Sequence, residues 1–480
     1  MDTVQWLHSH LDGIPVSLQF IVAAAVLGLL YNYVTGERPT PGLPLITSDR
    51  KGWQSYLPAA VTWARDGKDM QAKGLREANG PFQVRTGSGY KVIVPNRFAE
   101  ELKSNPNLSF NEAFAKDFFA HYPGFDGMRQ GLEDESFMQE VVRIKLTQSL
   151  GLVTDDLVDE TEASLNDIYQ DVTAKNGWQE RTVKDDILHL VARLSSRVFL
   201  GKELCRNEDW LRITKEYTVD TFVASAILRM IPAFIRPAAF WLIPTCTRLR
   251  GEVKDARRLI MSEVAQRRER AEKALAVGEK PPKMADAIGW MVEVSAKQGR
   301  QTDLVAGQLS LSTAAIHTTS ETMSKCISQL CQTPEIVESM REEIVHVLKT
   351  EGWSKQSLYK LRLMDSFLKE VQRTNGLASS ETSCTLPSIP SLTKPPASMN
   401  RMVKSPITLS DGTTLPAGTR IMVSDDKVSD GDIYPEPAKF DVARFMNLRQ
   451  LPGNENKHQF VTTTAEHMGF GHGQHACPGE

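Results

Sequence analysis

The pattern of apolar and polar positions divides the chain into a short uncharged segment, a long helical body and a strand-rich end. Residues 16–34 read VSLQFIVAAAVLGLLYNYV, a run of 19 residues without a formal charge. Apolar residues occupy every face of this run, and its length just suffices to cross a bilayer core of about 30 Å as a helix. The pattern predicts a transmembrane anchor over residues 16–34, with a buried amphipathic helix as the alternative.

The residues on either side of the predicted anchor indicate its orientation. No Lys or Arg precedes it, and the nearest basic residues that follow are Arg38, Arg50 and Lys51. This bias favours a cytoplasmic body, residues 51–480, and a lumenal N-terminus, residues 1–15. Residues 35–50 contain three prolines within six positions and are predicted to form a semi-rigid hinge.

Helical periodicity dominates the body after two early strand signals, PFQVRTG and KVIVP. The TPE sequence at 333–335 provides an N-cap at Thr333 and a proline at the first helical position. The preceding helix is therefore predicted to span residues 302–331, roughly 45 Å at 1.5 Å per residue. After Ile407, an Asp-Gly turn between β-rich runs predicts a hairpin. The fold class is mainly α with a smaller β region.

Two segments have less certain places in this pattern. Residues 211–250 are apolar with scattered Arg and Pro, which fits a pair of core helices or a surface that enters the membrane and admits apolar substrates. Residues 378–398 are rich in Ser, Thr and Pro and have no periodicity. A structureless loop of that length is improbable inside a compact domain, so this tract is predicted to be a foreign insert.

Composition narrows the class of protein without identifying it. Of 480 residues, 41% are apolar and 24% charged, and the net charge of −3 conceals no long block of one sign, so nucleic acid is not the implied partner. The six cysteines form no Cys-x-x-Cys pair and are too sparse for a disulfide scaffold. They indicate reduced thiols in a protein that faces the cytosol.

One cysteine has unusual neighbours. Cys477 lies in FGHGQHACPGE, where Gly473 and Gly479 allow the backbone to approach a large flat group and Phe470 offers an aromatic wall. Flanking backbone N–H groups can donate to a thiolate. A lone cysteine near His475 is also compatible with a hydrolase nucleophile or a structural thiol.

This segment closely resembles the haem-ligand loop of the cytochrome P-450 family, Phe-x-x-Gly-x-Arg-x-Cys-x-Gly. The resemblance implies that Cys477 is the axial thiolate on haem iron and that His475 stands where most members hold a haem propionate with Arg. EVQR, from Glu370 to Arg373, matches the family's Glu-x-x-Arg, and PEPAKFDVARF resembles the segment whose arginine, here Arg444, completes a buried ion network. By resemblance these three residues serve folding and haem seating.

Further segments resemble family motifs in the family's order. AAIHTTS is similar to the stretch that crosses over the haem, with space above the iron at residues 314–315 and a hydroxyl at Thr318 that can hold water or dioxygen. His317 replaces the usual acid and is a candidate for a proton relay. SMNRMV and VVRIKLT resemble segments whose arginines, here Arg401 and Arg143, pair with haem propionates.

The resemblance implies a haem-thiolate monooxygenase that uses O2. No Gly-x-Gly-x-x-Gly opens a βαβ unit, so the implied electron donor is a separate NADPH-cytochrome reductase on the same endoplasmic reticulum membrane. The motif variants are similar to those of fungal oxidases of terpenoids and other secondary metabolites, including the ent-kaurene oxidase group. The implied substrate is therefore an apolar small molecule.

A second interpretation remains open at this point. Family members continue past the cysteine with a helix and a final strand pair, whereas this sequence stops at Glu480. Together with the tract at residues 378–398, this predicts a truncated or mis-spliced chain. The alternative function is then an inactive, membrane-anchored remnant of such an enzyme.

Overall fold

The computed structural model describes the greater part of the body, namely residues 37–52, 55, 57–133, 135–174, 179–280, 285–375 and 397–478. Over these ranges the chain is mainly helical with a smaller sheet region, which confirms the predicted fold class. In this part of the chain, no helix is both long enough and apolar enough to cross a bilayer. The predicted anchor at residues 16–34 and the predicted lumenal residues 1–15 lie outside the described residues.

Strands from both ends of the described chain form one mixed sheet. Its order is β1 (Leu45–Ile46), β2 (Phe82–Thr86), β3 (Gly89–Val94), β8 (Arg420–Ser424), β5 (Ala397–Val403) and β4 (Leu108–Ser109). β2 and β3 form an antiparallel hairpin, β3 runs parallel to β8, and β8 runs antiparallel to β5. A separate antiparallel pair consists of β6 (Ile407–Thr408) and β7 (Thr414–Leu415). The early strand signals and the later hairpin are both confirmed.

Helices make up most of the remaining described chain. They are α1 (Ala59–Glu77), α2 (Ala99–Leu102), α3 (Phe110–Phe118), α4 (Asp126–Glu133), α5 (Glu135–Gln139), α6 (Thr147–Ala174), α7 (Val183–Leu200), α8 (Glu208–Met230), α9 (Arg236–Leu242), α10 (Pro244–Ala276), α11 (Ala287–Gln298), α12 (Leu304–Gln332), α13 (Ile336–Glu351), α14 (Lys355–Lys360), α15 (Arg362–Asn375) and α16 (Arg444–Arg449). A π-helical turn, Glu140–Leu146, lies between α5 and α6.

The long helix α12 runs through the centre of the helical region and packs against α4, α7, α8 and α10. Asp303 caps its N-terminus, because the side chain accepts hydrogen bonds from the backbone N–H groups of Val305 and Ala306. The predicted helix over residues 302–331 is therefore confirmed to within two residues. Apolar side chains from α8, α10 and α12 share one core, and this core places the middle of α12 at the site described below.

The start of the next helix differs from the prediction. Thr333 is the predicted N-cap, but α13 begins at Ile336. The Thr333 hydroxyl donates to the carbonyl of Gln329 at 2.8 Å, so it completes the last turn of α12. The proline that follows therefore lies in the connecting turn.

The predicted hinge is attached to the sheet over much of its length. Leu45–Ile46 pairs in parallel with β2, and the Gln83 side chain donates to the carbonyl oxygens of Thr40 and Leu43. From Thr40 onward the hinge is therefore held against the sheet. These contacts fix the path by which the chain enters the body.

The predicted insert needs a correction at its C-terminal boundary. Residues 376–396 lie outside the described residues, but Ala397 and Ser398 belong to β5 and pair with Ser424 and Val423 of β8. The tract assigned to residues 378–398 thus extends two residues too far. The alternation of apolar and polar residues that marks a strand was too short at these two positions to distinguish the end of a strand from an irregular tract.

Glu252 is a buried acid at the contact between α10 and α8. Burial, reinforced by the charges of Asp220 and Glu216, raises the pKa of Glu252 to about 8. The described residues offer its Oε2 atom no hydrogen-bond partner. The charged form is therefore disfavoured in the folded state.

Glu252→Gln is expected to raise the free energy of unfolding by about 1–3 kcal/mol at pH 8. The pKa of this acid is higher in the folded chain than in the unfolded chain. The folded state therefore becomes less stable relative to the unfolded state as pH rises from about 4.5 to about 8. The gain should shrink at pH 5, as measured by urea unfolding. Glu269→Gln, an exposed site on the same helix, is the matched control, and a gain that did not change with pH would contradict the assignment.

Candidate active site

Cys477 lies in a tight loop that exposes its side chain. The backbone reverses at Gly471 and Gly473, whose φ angles are +79° and +75°, and Gly473–His475 forms a 3-10 turn. The Cys477 N–H donates to the carbonyl of Phe470 at 2.8 Å, which closes the loop. The thiol is therefore presented outward from a backbone held at both ends.

The exposure of Cys477 distinguishes it from most described cysteines. Cys205, Cys246 and Cys326 are buried, and burial raises the pKa of each thiol to about 11. Cys331 is also exposed, at the C-terminal end of α12. Exposure and thiolate character govern the reactivity of a cysteine, so the three buried thiols are inert packing residues.

Helix α2 holds the cysteine loop through two contacts. The Gln474 N–H donates to the Lys103 carbonyl at 3.1 Å, and His472 Nε2 lies 2.7 Å from Glu100 Oε1. Lys103 and His472 both hydrogen-bond the Glu100 carboxylate and lower its pKa. A Cβ atom at Gly473 would lie 2.2 Å from the Lys103 carbonyl oxygen. In the structure, this glycine is therefore required by the approach of α2.

An aromatic ring brings two of the predicted cofactor-binding residues together. Phe110, at the start of α3, lies with its ring centroid 6.1 Å from that of His475. The guanidinium carbon of Arg401 lies 5.6 Å from the centroid of the same Phe110 ring. His475 comes from the cysteine loop and Arg401 from β5, so loop and sheet meet at this ring.

Near its middle, α12 exposes a small patch within an otherwise well-buried stretch. Ala314 and Thr318, one turn apart, are exposed. Thr313, which precedes Ala314, and Ile316, which lies between the two, are buried. The Thr318 hydroxyl donates to the Ala314 carbonyl at 2.7 Å. Its oxygen lone pairs therefore remain available to accept a hydrogen bond from a small molecule.

His317 faces a different neighbour. Its Nε2 atom lies 3.0 Å from the carbonyl oxygen of Lys215 on α8, which makes Nε2 the protonated nitrogen. Burial lowers the pKa of His317, although its hydrogen bond to that carbonyl opposes the shift. The imidazole thus joins α12 to α8. A proton relay through His317 stays a prediction, and it would have to use Nδ1.

Glu370 is fully buried at the centre of an ion network. Arg373 donates to it through Nε and Nη2, each at 2.8 Å, and Arg444 donates through Nε at 3.0 Å. Arg373 Nη1 also donates to the carbonyl of Val428, and Arg444 Nη1 to that of Pro435. The network therefore joins α15, α16 and the loop between β8 and α16.

Helix α15 also touches the cysteine loop. A Cβ atom at Gly469 would lie 2.3 Å from the side-chain carbon Cδ of Gln372, which is adjacent to Arg373 on α15. Phe470, next in the chain, packs edge-on against Phe460 with centroids 5.1 Å apart. The loop is thus positioned by α15 on one side and by α2 on another.

Two further predicted cofactor residues are Arg143 and Gly479. Arg143 is exposed on the π-helical turn, and among the described residues its guanidinium has no ion-pair partner. Neighbouring residues of that turn pair with α11, as in the ion pair between Glu140 and Lys297. Gly479 lies outside the described residues.

Phe110 is the main site residue that sequence reasoning missed. The signal was present, because SFNEAFAKDFF places phenylalanines at 110, 114 and 118, four residues apart on one helical face. Such a stripe is typical of an ordinary core helix. Only the positions of His475 and Arg401, both distant in sequence, distinguish it.

Comparison with known proteins settles the family. The cytochrome P450 family model matches residues 133–386 and 392–480. The chain belongs to the cytochrome P450 family. It is 42% identical to the cytochrome P450 monooxygenase bsc2 of Alternaria brassicicola, an alignment that covers 100% of this chain and 87% of that protein. It is 36% identical to the cytochrome P450 monooxygenase hepE of Aspergillus oryzae, over 98% of this chain and 83% of that protein.

A solved structure shows the same fold. The structure of retinoic acid bound cyanobacterial CYP120A1 superposes with a TM-score of 0.57 at 16% identity, and covers 91% of this chain and 88% of that one. The predicted membership of a fungal P450 group is confirmed, as is the class of enzyme, an oxygen-incorporating oxidoreductase. The hydrolase interpretation of Cys477 and His475 is therefore wrong.

The family's cofactor is haem with a thiolate iron ligand, and the residues present fit it. The loop offers one exposed sulfur, a soft ligand suited to iron. Arg401 and His475, grouped at the Phe110 ring, are donors suited to carboxylates such as the haem propionates. Ala314 supplies a small exposed surface on α12, where a bulky side chain would take up space.

Proposed function

We propose that this P450 oxidises an apolar terpenoid or a related secondary metabolite, with electrons from a membrane-bound NADPH-cytochrome reductase. The enzyme acts at the endoplasmic reticulum membrane, with its catalytic body on the cytosolic face. The observation that carries the proposal is the strip formed by the exposed residues Ala314 and Thr318 on the central helix, whose neighbour Ala315 packs against the same apolar core as the half-buried phenylalanines of α3.

Phenyl rings that pack against the same apolar core support an apolar substrate. Phe110 and Phe114 are half-buried on α3, with ring centroids 5.2 Å apart, and Ala315 of α12 packs against the same core. Apolar surface of this kind takes up apolar ligands by excluding water. In this proposal the substrate contacts both the small-residue strip and the phenyl rings.

The surface around α9 supports the membrane as the source of substrate. Trp241 is 60% exposed and Leu242 is 82% exposed at the end of α9, a helix within the apolar segment 211–250. Large exposed apolar side chains beside basic ones favour an interface with lipid. The external electron donor rests on the sequence, which has no Gly-x-Gly-x-x-Gly motif at the start of a βαβ unit.

Each proposed role follows from the atoms that a residue offers. Cys477 Sγ would hold the iron, and the side chains of Arg401, His475 and Arg143 would hold the propionates. When bound, the haem supplies the activation of O2 that lets oxygen enter an unactivated C–H bond. Thr318 Oγ1 accepts a hydrogen bond from water and keeps that water in place beside the strip. The phenyl rings orient the substrate and exclude other water.

Two measurements on the haem-loaded protein test this proposal. The reduced, carbon monoxide-bound absorption spectrum should show a thiolate-type band, and an inactive remnant would lack it. Incubation with reductase, NADPH and ent-kaurene as a terpenoid probe should yield products heavier by one oxygen atom. A thiolate band without oxidation of any terpenoid hydrocarbon would reject the substrate class and leave the family assignment standing.

Thr318→Ala is expected to leave haem binding unchanged while product formed per NADPH consumed falls roughly tenfold or more. The reason is the loss of the hydroxyl that holds water beside the strip, so reducing equivalents should appear as hydrogen peroxide. Product yield, NADPH consumption and peroxide are measured together on the same sample.

Thr322→Ala is the matched control for Thr318→Ala. Thr322 makes the same kind of back-bond one turn later, from its hydroxyl to the Thr318 carbonyl at 2.9 Å. It should therefore reproduce any effect on the helix itself without uncoupling the reaction. Normal product yield from Thr318→Ala would contradict the proposed role.

A further inference from the structure

Arg229, near the end of α8, belongs to a cluster of charges at the C-terminal end of α3, whereas the N-terminal end of α3 lies beside the cysteine loop. The cluster surrounds Asp117, whose carboxylate accepts hydrogen bonds from Lys91 on β3 and Arg420 on β8. Burial favours the neutral acid, but these two cations lower the pKa of Asp117 to about 2. Asp117 is therefore an anion already shared by two cations.

The cluster contains more positive than negative groups. Its two carboxylates are Asp117 and Glu37, and Glu37 pairs with both Arg420 and Lys116. The cations are Lys91, Lys116, Arg229 and Arg420. Four cations and two carboxylates leave a formal surplus of two positive charges among the described residues.

Arg229 accounts for one of those unmatched charges. Its Nε donates to the backbone carbonyl of Asp117 at 3.3 Å, and the described residues give its two Nη nitrogens no hydrogen-bond acceptor. Burial lowers the pKa of Arg229; the attraction of Asp117 opposes the shift, and the repulsion of Arg420 adds to it. A half-buried cation whose Nη nitrogens have no acceptor among the described residues is suited to bind an anion.

An aromatic stripe connects Arg229 with the active site. Phe110 lies beside His475, Phe114 stacks on Phe118 with centroids 4.3 Å apart, and the Arg229 guanidinium carbon lies 5.8 Å from the Phe118 ring centroid. From Phe110 to Phe118 the helix rises about 12 Å at 1.5 Å per residue. An elongated molecule on this stripe would have one end near the cysteine loop and the other near Arg229.

We propose that Arg229 binds a carboxylate at one end of an elongated apolar substrate, whose apolar body follows the stripe for about 12 Å toward Phe110. Guanidinium matches a carboxylate in shape and charge, and the phenyl rings of the stripe cover the apolar body between the two ends. This inference rests on the proposed function, because it names the class of substrate for the same site.

Isothermal titration calorimetry with two matched probes tests the inference. Dodecanoate and 1-dodecanol share the apolar chain and differ in the anionic group. In neutral detergent, the haem-loaded protein should bind dodecanoate about tenfold more tightly than dodecanol. Arg229→Met should bring the two affinities within about twofold, mainly by weakening dodecanoate, and Arg229→Lys should restore part of the preference.

Arg212→Met is the matched control, since it removes one positive charge from an exposed position on the same helix, where Arg212 pairs with Glu216. It should leave the preference unchanged. Equal affinities in the unaltered protein, or an undiminished preference in folded Arg229→Met, would overturn the inference. Loss of the preference on adding anionic phospholipid vesicles would also overturn it, because the site would then belong to a lipid headgroup.

Calorimetry keeps this test separate from that of the proposed function. It measures binding without turnover, so the preference for dodecanoate can hold even if no terpenoid is oxidised. Oxidation of terpenoid hydrocarbons without any preference for the anion would overturn this inference alone.

Discussion

Cys477→Ala is expected to give a folded protein that shows no thiolate-type band after reduction and exposure to carbon monoxide, and no oxidation product. The loop should survive the change, because it is held by backbone contacts: the Cys477 N–H to Phe470 and the Gln474 N–H to Lys103. Alanine keeps both contacts and removes only the sulfur. The loss should therefore be complete, whereas far-ultraviolet circular dichroism should not change.

Cys331→Ala provides the matched control for the loss of a thiol. Cys331 is the other exposed cysteine of the described residues, and it lies at the end of α12. Its removal should leave spectrum and product unchanged. A thiolate-type band in Cys477→Ala would show that another sulfur holds the iron, and the site would have to be reassigned.

Glu370→Ala is expected to lower the free energy of unfolding by about 3–5 kcal/mol. The side chain is fully buried, and its removal leaves Arg373 and Arg444 as neighbouring buried cations with only backbone carbonyls as acceptors. Because α15 carries both Glu370 and the residue that packs against Gly469, the loosened helix should also retain less haem. Urea unfolding and haem content per chain measure the two effects.

Glu351→Ala serves as the reference for an ordinary ion pair. Glu351 pairs with Lys360 at the surface, where such pairs contribute at most about 1 kcal/mol. If Glu370→Ala lost no more stability than this control, the buried network would have no role in holding the fold. Full haem retention in a destabilised Glu370→Ala protein would instead separate folding from haem seating.

The sequence predictions that are confirmed rest on patterns within short stretches of the chain. The periodicity of α12 and the acidic cap at Asp303 are encoded within a few residues, so its span could be predicted to within two residues. The motif spacing also predicted the pairing of Glu370 with Arg373, because residues three apart lie on the same face of a helix. The fold class followed from local features of this kind, and the family and cofactor followed from the resemblance of the motifs to those of the cytochrome P450 family.

Contacts between distant segments could not be predicted in the same way. Gly473 was expected to make room for a flat group, yet the atom closest to it belongs to Lys103, some 370 residues earlier in the chain. His317 was a candidate for a proton relay from its motif position, but the motif could not show that its Nε2 atom meets the Lys215 carbonyl on α8. The position of Arg229 beside the phenylalanine stripe depends on how α3 and α8 pack against each other. The periodicity of a single sequence does not reveal such packing.

The attachment of the cysteine loop to α2 affects how this enzyme can be recombined with its relatives. Residues 470–478 carry the recognisable motif, but two of the contacts that hold it are made with Glu100 and Lys103. A chimera that exchanges the motif alone would pair a donor loop with a recipient helix that did not evolve with it. Segments that include α2 and the loop from the same parent are therefore the natural units of exchange.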